Sequence, residues 1–394
     1  MGILRFLLAA CVVLWHCPEG ILSRYIHPAL AVQCFYVVSG FLMQMVIVSK
    51  YVGQRHWRRR FYLSRVLRIY PLYLLFLALT ILLTDTSFTY YTQHGKWAAA
   101  AAWVSNNVFL VGQDILRFFY FDVQTGHFAV LPASLTERGE IYSHGTAMPM
   151  SAMGQSWTLA IEMYFYLLAP LLLVRSSRAL LLTVIGLLAL RPVLGYSFGP
   201  RPELLYGFFP TELPLFLSGS LAYRAYVHLF KSGRILQTLQ RVNAGEKTLS
   251  LLCAVVVAGG CWTILTCNLN SAGAYAYTHL HLVFLAAPWE NRPLNAPAGY
   301  WLVLLMAIGM LPFALHFSQK FSFDRYIGEL SYPVYISHIL IVELTQHRLH
   351  PGPEGQAYIG VFVLVLSVVL SVVLIEFMEK PIDRFRHRLA GVRS

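Results

Sequence analysis

Two ionisable residues in the first apolar segment of the chain have a spacing that could support chemistry. Arg5 and His16 are eleven residues apart, close to three helical turns, so a helix places both on one face, about 16 Å apart along its axis. A charged group inside a bilayer is costly, and an imidazole exchanges protons near neutral pH. The pair therefore favours a polar site within a membrane. The structural alternatives are a snorkelling arginine and an interfacial histidine bonded to a carbonyl.

A carboxylate in a later apolar segment has a related position. Glu162 lies six residues into that segment, and we expect it at a depth similar to that of His16. A carboxylate there would hold the imidazole in one tautomer and stabilise its charged form. The alternative is an ion pair between Glu162 and a structural arginine.

Smaller polar groups interrupt two further apolar segments. For Ser39 the sequence favours a bond to a carbonyl one turn earlier over a nucleophile, with Gly40 allowing a neighbouring helix to approach closely. Tyr332, Tyr335 and His338 share one helical face. They would either line a polar cavity or form an interfacial aromatic belt beside a packed histidine.

A strongly basic stretch follows the second apolar segment. It has no acidic residue and contains Lys50, Arg55, Arg58, Arg59, Arg60, Arg65 and Arg68. This is the pattern of a cytoplasmic loop. Arg65 and Arg68 are three residues apart, so their guanidinium forks would face one anionic ligand, phosphate above all, as the loop enters the third helix. The alternative for both is contact with lipid headgroups.

The composition indicates that lipid surrounds most of the chain. Of 394 residues, 57% are hydrophobic and only 12% are charged, about half the charged fraction of a soluble domain. The net charge of +12 is spread over short loops between apolar segments, so we expect no nucleic-acid partner. The cysteines have no metal-ligand spacing, and we expect no metal.

The apolar segments and basic loops predict an all-α polytopic bundle of about ten transmembrane helices, with both termini in the cytoplasm. The predicted spans are residues 3–17, 29–49, 69–84, 156–174, 179–195, 208–226, 249–267, 299–317, 331–346 and 357–377. Residues 97–112 are predicted to be a re-entrant or interfacial helix, because a further span would put later basic loops on the wrong side. A short apolar piece at 281–288 is too brief to span. We expect one membrane domain over residues 1–385 and a basic cytoplasmic tail over residues 386–394.

Several motifs in order resemble the acyltransferase type 3 superfamily, a group of membrane-bound O-acyltransferases. They are Arg5-x10-His16, Ser39-Gly40-Phe41, Arg65-x-x-Arg68, Ser156 to Glu162, Gly328 to His338 and Glu379-Lys380-Pro381. The resemblance runs from residue 1 to about residue 385. Within the superfamily, the chain is most similar to members that acetylate exopolysaccharides, such as succinoglycan acetylation proteins. One departure is Phe6-Leu7-Leu8, where small residues are usual.

The resemblance implies transfer of an acyl group, usually acetyl from cytoplasmic acetyl-CoA, to a hydroxyl of an exported or envelope glycan or a lipid-linked oligosaccharide, at the bacterial inner membrane. It implies His16 as catalytic histidine with Arg5 as its partner, and Arg65, Arg68 and Arg5 as contacts of the coenzyme. Glu162 is expected to join the catalytic group. Tyr332, His338, Ser39 and Trp157 are expected to line the substrate site.

Two other functions remain open at this point. A transporter or flippase for a lipid-linked sugar would use the same polar cavity without chemistry. A structural subunit of an export complex would leave Arg5, His16 and Glu162 without a role. Whether His16 is a general base or carries the acyl group covalently is also open.

Overall fold

A computed structural model describes residues 1–17, 28–84, 87–116, 119–122, 125–130, 147–148, 151–198, 206–241, 248–256, 297–319, 321–349 and 352–390. The predicted span at 249–267 is described only at 248–256, where the chain is helical. The short apolar piece at 281–288 lies outside the described residues.

The described part is mainly helical, as predicted. In the first half of the chain the helices are α1 (Gly2–Trp15), α2 (Pro28–Val46), α3 (Trp57–Leu83), α4 (Ser87–Gln93), α5 (Trp97–Phe109), α6 (Gln113–Leu116), α7 (Ser156–Leu172) and α8 (Ser177–Phe198). In the second half they are α9 (Phe209–Tyr226), α10 (Arg234–Arg241), α11 (Pro297–Ser318), α12 (Ser322–Leu349), α13 (Pro353–Leu374) and α14 (Lys380–Ala390). Single π-helical turns extend α2, α9 and α13 at their ends.

Five helical segments of the described chain are long and apolar enough to cross a membrane. They are Pro28–Tyr51, Trp57–Leu83, Ser177–Leu194, Trp301–Ser318 and Gly355–Arg386. Two shorter apolar helices are Gly2–Trp15 and Ser156–Leu172. The chain is thus a helical membrane protein, and the number of about ten spans stays a prediction.

Two local features differ from the expectations. Between the helices predicted at 97–112 and 156–174, for which no strand was predicted, lies a small antiparallel sheet of β1 (Phe119–Asp122), β2 (Phe128–Val130) and β3 (Ala147–Met148), in the order β2-β1-β3. The basic stretch is also more ordered than a loop, because α3 begins at Trp57 and already includes Arg65 and Arg68. A hydropathy pattern does not detect a charged helical extension that has no capping residue. The predicted start of this helix at residue 69 is therefore too late.

Helices α2 and α9 pack with their backbones almost in contact. A β-carbon built on Gly40 would lie 1.8 Å from the carbonyl oxygen of Phe216, and one on Gly219 would lie 1.9 Å from that of Val37. The hydroxyl of Ser220 donates to the carbonyl of Gly40 at 3.0 Å. This confirms the close approach predicted at Gly40 and fixes α2, which forms one wall of the site.

Helix α1 is held at its N-terminal end by α12. The carboxylate of Asp324 accepts hydrogen bonds from the backbone N–H of Gly2 at 2.8 Å and of Ile3 at 3.0 Å. These are donors that a helix leaves unpaired in its first turn, and the negative charge also suits the helix dipole. Gly2 and Gly328 allow the contact, since a β-carbon on Gly328 would lie 2.6 Å from the Cα of Gly2.

We predict that G219A destabilises the protein although alanine is the better helix former. The added methyl group meets backbone atoms of α2, and such overpacking costs about 1–3 kcal/mol. The matched control is G186A in α8, where, apart from the backbone of α8 itself, no atom of the described residues lies within 4 Å of the added carbon. Thermal unfolding in detergent should show a lower midpoint for G219A and an unchanged or higher one for G186A. Equal midpoints would contradict the close packing.

We also predict that Asp324 makes the stability depend on acid pH. Burial alone would raise the pKa of Asp324, but hydrogen bonds from Ile3, Gly2 and the amino group of Met1 outweigh it and hold that pKa below its usual value. The stabilisation is therefore complete above the unfolded pKa of about 4 and is lost as pH falls through the folded pKa.

D324N should lower the unfolding midpoint at pH 7, with a loss of about 1 kcal/mol in the free energy of unfolding, as for other helix caps. It should also weaken the dependence of the midpoint on pH below pH 4. The control is E376Q, which removes only an exposed ion pair with Lys380 and should change little. An acid profile of D324N that matches the wild type would exclude this role.

Candidate functional site

Two connected cavities run into the bundle beside α1. The larger, which we call the vestibule, has an empty volume of about 1840 Å³. Its lining carries six basic side chains and four acidic ones: Arg5, Lys50, Arg65, Arg68, Arg325 and Arg386 against Glu162, Asp324, Glu329 and Asp383. The inner cavity has an empty volume of about 630 Å³, within the range of small-molecule sites. Four residues line both: Arg5, Arg68, Glu162 and Tyr166. The two spaces therefore meet at a charged junction.

One face of α1 forms a wall of the inner cavity and leads toward His16. Arg5, Leu8, Ala9 and Val12 line the cavity, at the i, i+3, i+4 and i+7 positions of one helical stripe. His16 follows on the same stripe, one turn beyond Val12, directly after the helix ends. The arginine thus lies at the junction and the imidazole beyond the far end of the cavity, in the order that the spacing predicted.

His16 contacts a second histidine, and the contacts define its tautomer. His16 Nδ1 lies 2.8 Å from the carbonyl oxygen of Val12 and 3.3 Å from His338 Nε2. His338 Nδ1 lies 2.6 Å from the carbonyl oxygen of Tyr335, so it carries the proton and leaves Nε2 as an acceptor. His16 therefore donates from Nδ1, and its own Nε2 keeps a lone pair. This is the state that a general base or a nucleophile requires.

Glu162 has different partners from those expected. Its carboxylate accepts hydrogen bonds from Ser39 at 3.2 Å and from Tyr166, and it faces Arg5 and Arg68 at the junction. The position next to the imidazole that we expected for Glu162 is taken by His338. The hydroxyl of Ser39 likewise bonds across to Glu162, where we had favoured a bond within its own helix. Glu162 shares the junction with Arg5, so it lies nearer the depth of Arg5 than that of His16. The position of α7 along α1 decides this depth, and the sequence of one helix does not contain it.

The two arginines of the predicted anion site both line the vestibule. The guanidinium of Arg65 lies 5.6 Å from the centre of each of the rings of Phe61 and Tyr166, an arrangement that holds it in place. Its Nε is buried and has no hydrogen-bond partner among the described residues. Arg68 also borders a crevice with Glu379, which brings the last of the family motifs to the same region. These arginines are thus placed to receive an anion from the vestibule.

The other predicted substrate contacts divide into two groups. Tyr332 lines the inner cavity and donates to the carbonyl of Ile69 at 2.7 Å; His338 lies behind it against His16. Trp157 packs edge-on against Tyr206 and is not part of either cavity lining as described.

Two polar residues of the site were not predicted. Tyr166 is one of them, although its spacing of four residues from Glu162 puts both on one face of α7. The other is Thr158, whose hydroxyl lies 2.8 Å from that of Tyr335.

We predict that His16 is mainly the Nδ1–H tautomer at neutral pH. Nitrogen NMR of protein labelled with ¹⁵N-histidine should show this, with the His16 signals assigned by their loss in H16Q. H338F removes one of the two acceptors at Nδ1 and should increase the fraction of the other tautomer. H94Q, at an exposed histidine, should leave the His16 signals unchanged. A dominant Nε2–H form in the wild type would contradict the hydrogen-bond pattern.

Comparison with known proteins identifies the family of the chain. The acyltransferase domain family matches residues 1–376. An uncharacterised protein of Aquifex aeolicus is 24% identical over 254 residues, which cover 62% of this chain and 94% of that protein. Peptidoglycan O-acetyltransferase OatA of Listeria monocytogenes is 23% identical over 375 residues, covering 90% of this chain and 51% of that enzyme. This chain therefore spans about half the length of the Listeria protein. No solved structure matches. Since the family match extends over nearly all of the chain, the protein belongs to the acyltransferase domain family.

Proposed function

We propose that the protein is a membrane O-acyltransferase that takes an acetyl group from cytoplasmic acetyl-CoA and transfers it to a hydroxyl of an exported or cell-envelope polysaccharide. The observation that carries the proposal is the path from the vestibule, through the junction at Arg5 and Glu162, along α1 to Val12, one helical turn before His16. Membership of an acyltransferase family favours transfer chemistry over the transporter and structural-subunit alternatives.

The vestibule suits the phosphates of the acyl donor. Coenzyme A carries several phosphates, and guanidinium groups bind phosphate through paired, charge-assisted hydrogen bonds. In the proposal Arg65 and Arg68 hold these phosphates, and Arg5 contacts the donor where the cavities meet. The buried Nε of Arg65, which has no partner in the described part of the chain, supports this fit, because such a donor is costly unless a ligand satisfies it.

The inner cavity suits the thin arm that carries the thioester. Its lining along α1 is apolar from Leu8 to Val12, so the arm would pass without a desolvation cost and bring the acyl group toward His16. Tyr332 and Tyr335 form the opposite wall. Entry from opposite ends would let donor and acceptor meet at His16 while the coenzyme stays on the cytoplasmic side.

The lone pair on His16 Nε2 is the reactive group in the proposal. In direct transfer, it removes the proton of the acceptor hydroxyl, the oxygen attacks the thioester carbon, and the carbon–sulfur bond breaks. The coenzyme thiolate then takes the proton from the imidazolium. In the covalent route the same nitrogen attacks the thioester carbon, the carbon–sulfur bond breaks and the coenzyme leaves as a thiolate. The acceptor oxygen then attacks the acyl carbon, the carbon–nitrogen bond to His16 breaks, and the proton of the hydroxyl passes to the thiolate. His338 keeps the proton on Nδ1 in either route, and Glu162 holds Arg5 and Arg68 by charge.

The acceptor is proposed to be a glycan hydroxyl, on the polymer or a lipid-linked oligosaccharide, at the outer face of the bacterial inner membrane. The name of the Listeria relative, a peptidoglycan O-acetyltransferase, supports a saccharide acceptor. The sequence resemblance to exopolysaccharide-acetylating proteins supports a polymer that is exported. Lipids surround the apolar helices, and both termini lie in the cytoplasm.

We predict that H16Q abolishes acyl transfer by removing the reactive nitrogen. In vesicles loaded with radiolabelled acetyl-CoA, transfer to the cell's extracted polysaccharide should fall by about 10²–10⁴-fold, as for loss of a general base. H94Q is the matched control, since that histidine is exposed, and it should keep the wild-type rate.

Two outcomes would reject the proposal. One is full transfer by H16Q. The other is a cell that carries H16Q and acetylates its glycans normally but no longer exports them, which would identify a transporter. Mass spectrometry of wild-type protein mixed with acetyl-CoA without acceptor separates the two routes, because only the covalent route adds an acetyl group to His16.

A further inference from the structure

The C-terminal helix returns to the vestibule. We expected a basic tail after residue 385, but α14 runs continuously from Lys380 to Ala390 and packs against α3, which carries Arg65 and Arg68. The single π-helical turn at Ile375–Glu379 joins it to α13. Two residues of α14, Asp383 and Arg386, line the vestibule. The helix therefore brings a further guanidinium to the donor entrance.

Arg386 differs from the neighbouring basic residue on the same helix. Its side chain is only 14% exposed, and Nη2 bonds to Asp383 at 3.0 Å. Its Nη1 is buried and has no hydrogen-bond partner among the residues that the structure describes. Arg384, two positions earlier, is exposed. Of these two arginines, Arg386 is the one with a buried, unsatisfied donor.

Arg386 lies among the charged residues of the vestibule. Arg65 and Arg68 are close enough to repel it electrostatically, and Arg65 has its own buried, unsatisfied Nε within the described chain. The acidic residues that line the vestibule have partners: Asp383 is bonded to Arg386, Asp324 caps α1, Glu329 pairs with Arg325, and Glu162 accepts from Ser39. Glu379 lies nearby and attracts both Arg68 and Arg386. The ion pair with Asp383 accounts for the position of Nη2 of Arg386 but not for the burial of its Nη1.

We infer that Arg386 binds a phosphate of the nucleotide end of the acyl donor together with Arg65 and Arg68, so that α14 forms part of the donor site. The identity of this ligand rests on the proposed function, since acyl-CoA is the multiply phosphorylated molecule that the reaction uses. A phosphate oxygen would satisfy both buried donors and reduce the repulsion among three guanidinium groups. Arg386 is here a binding residue and takes no part in the chemical step.

The test measures binding without turnover. Purified full-length wild type, R386Q and R384Q are titrated with adenosine 3′,5′-bisphosphate, the nucleotide end of coenzyme A, and with pantetheine, which carries no phosphate. R386Q should weaken binding of the bisphosphate about tenfold or more, as expected for a lost charge-assisted bond. It should leave pantetheine binding and the thermal unfolding midpoint unchanged. R384Q removes the same charge from the same helix and should change neither affinity.

Each other result rejects a stated part of the argument. Equal bisphosphate affinity of R386Q and wild type rejects the role of Arg386 and leaves the proposed function standing. The same conclusion follows if R386Q loses affinity for bisphosphate and pantetheine equally, or if R384Q loses as much bisphosphate affinity as R386Q. Absence of nucleotide binding by the wild type rejects the acyl-CoA donor and hence the proposed function as well. Should R386Q not fold, R386K takes its place. Lysine keeps the charge but not the planar fork of arginine, so we expect R386K to weaken binding of the bisphosphate about threefold. Wild-type affinity of R386K would reject the inference.

Discussion

The placement of two partly buried ionisable side chains, Arg5 within α1 and His16 at its end, is the constraint on which the rest of the site depends. A guanidinium and an imidazole on an otherwise apolar helix are costly in lipid, so that face must be covered by protein or a polar cavity. Helix α12 covers one end, where Asp324 takes the first N–H groups, and the other, where His338 meets His16. The same helix therefore fixes the depth of both groups.

The junction of the two cavities is where opposing electrostatic requirements meet. Arg5 and Arg68 lie there with Glu162, which is also held by Ser39 and Tyr166, and Glu379 attracts Arg68 from the neighbouring crevice. Charges taken into a low dielectric are costly unless they are closely paired. In the proposed reaction the phosphates of the donor add further negative charge beside these guanidinium groups.

The reactive end of the site is built from neutral groups. His16 and His338 bond as two uncharged imidazoles, each with its Nδ1 directed to a carbonyl of its own helix. This backbone bond is available to a histidine wherever it lies near a helix end, and it leaves the outer nitrogen for chemistry. Separating a charged entrance from a neutral reaction centre allows the phosphates to be held firmly without charging the base.

The sequence determined those features that depend on local pattern. Hydropathy located the longer apolar helices, ten of the fourteen numbered in the described chain, but not α4, α6, α10 and α14. The helical period placed Arg5 and His16 on one stripe, and Gly40 indicated a close helix contact. The family also followed from motifs in order. Tertiary structure decided which side chain each polar group meets: His338 beside His16, Ser39 and Tyr166 on Glu162, and Arg386 in the vestibule. These pairings depend on how helices far apart in the chain rotate and cross. The sequence of one apolar segment is compatible with several packing partners, so it does not determine which helix that segment contacts.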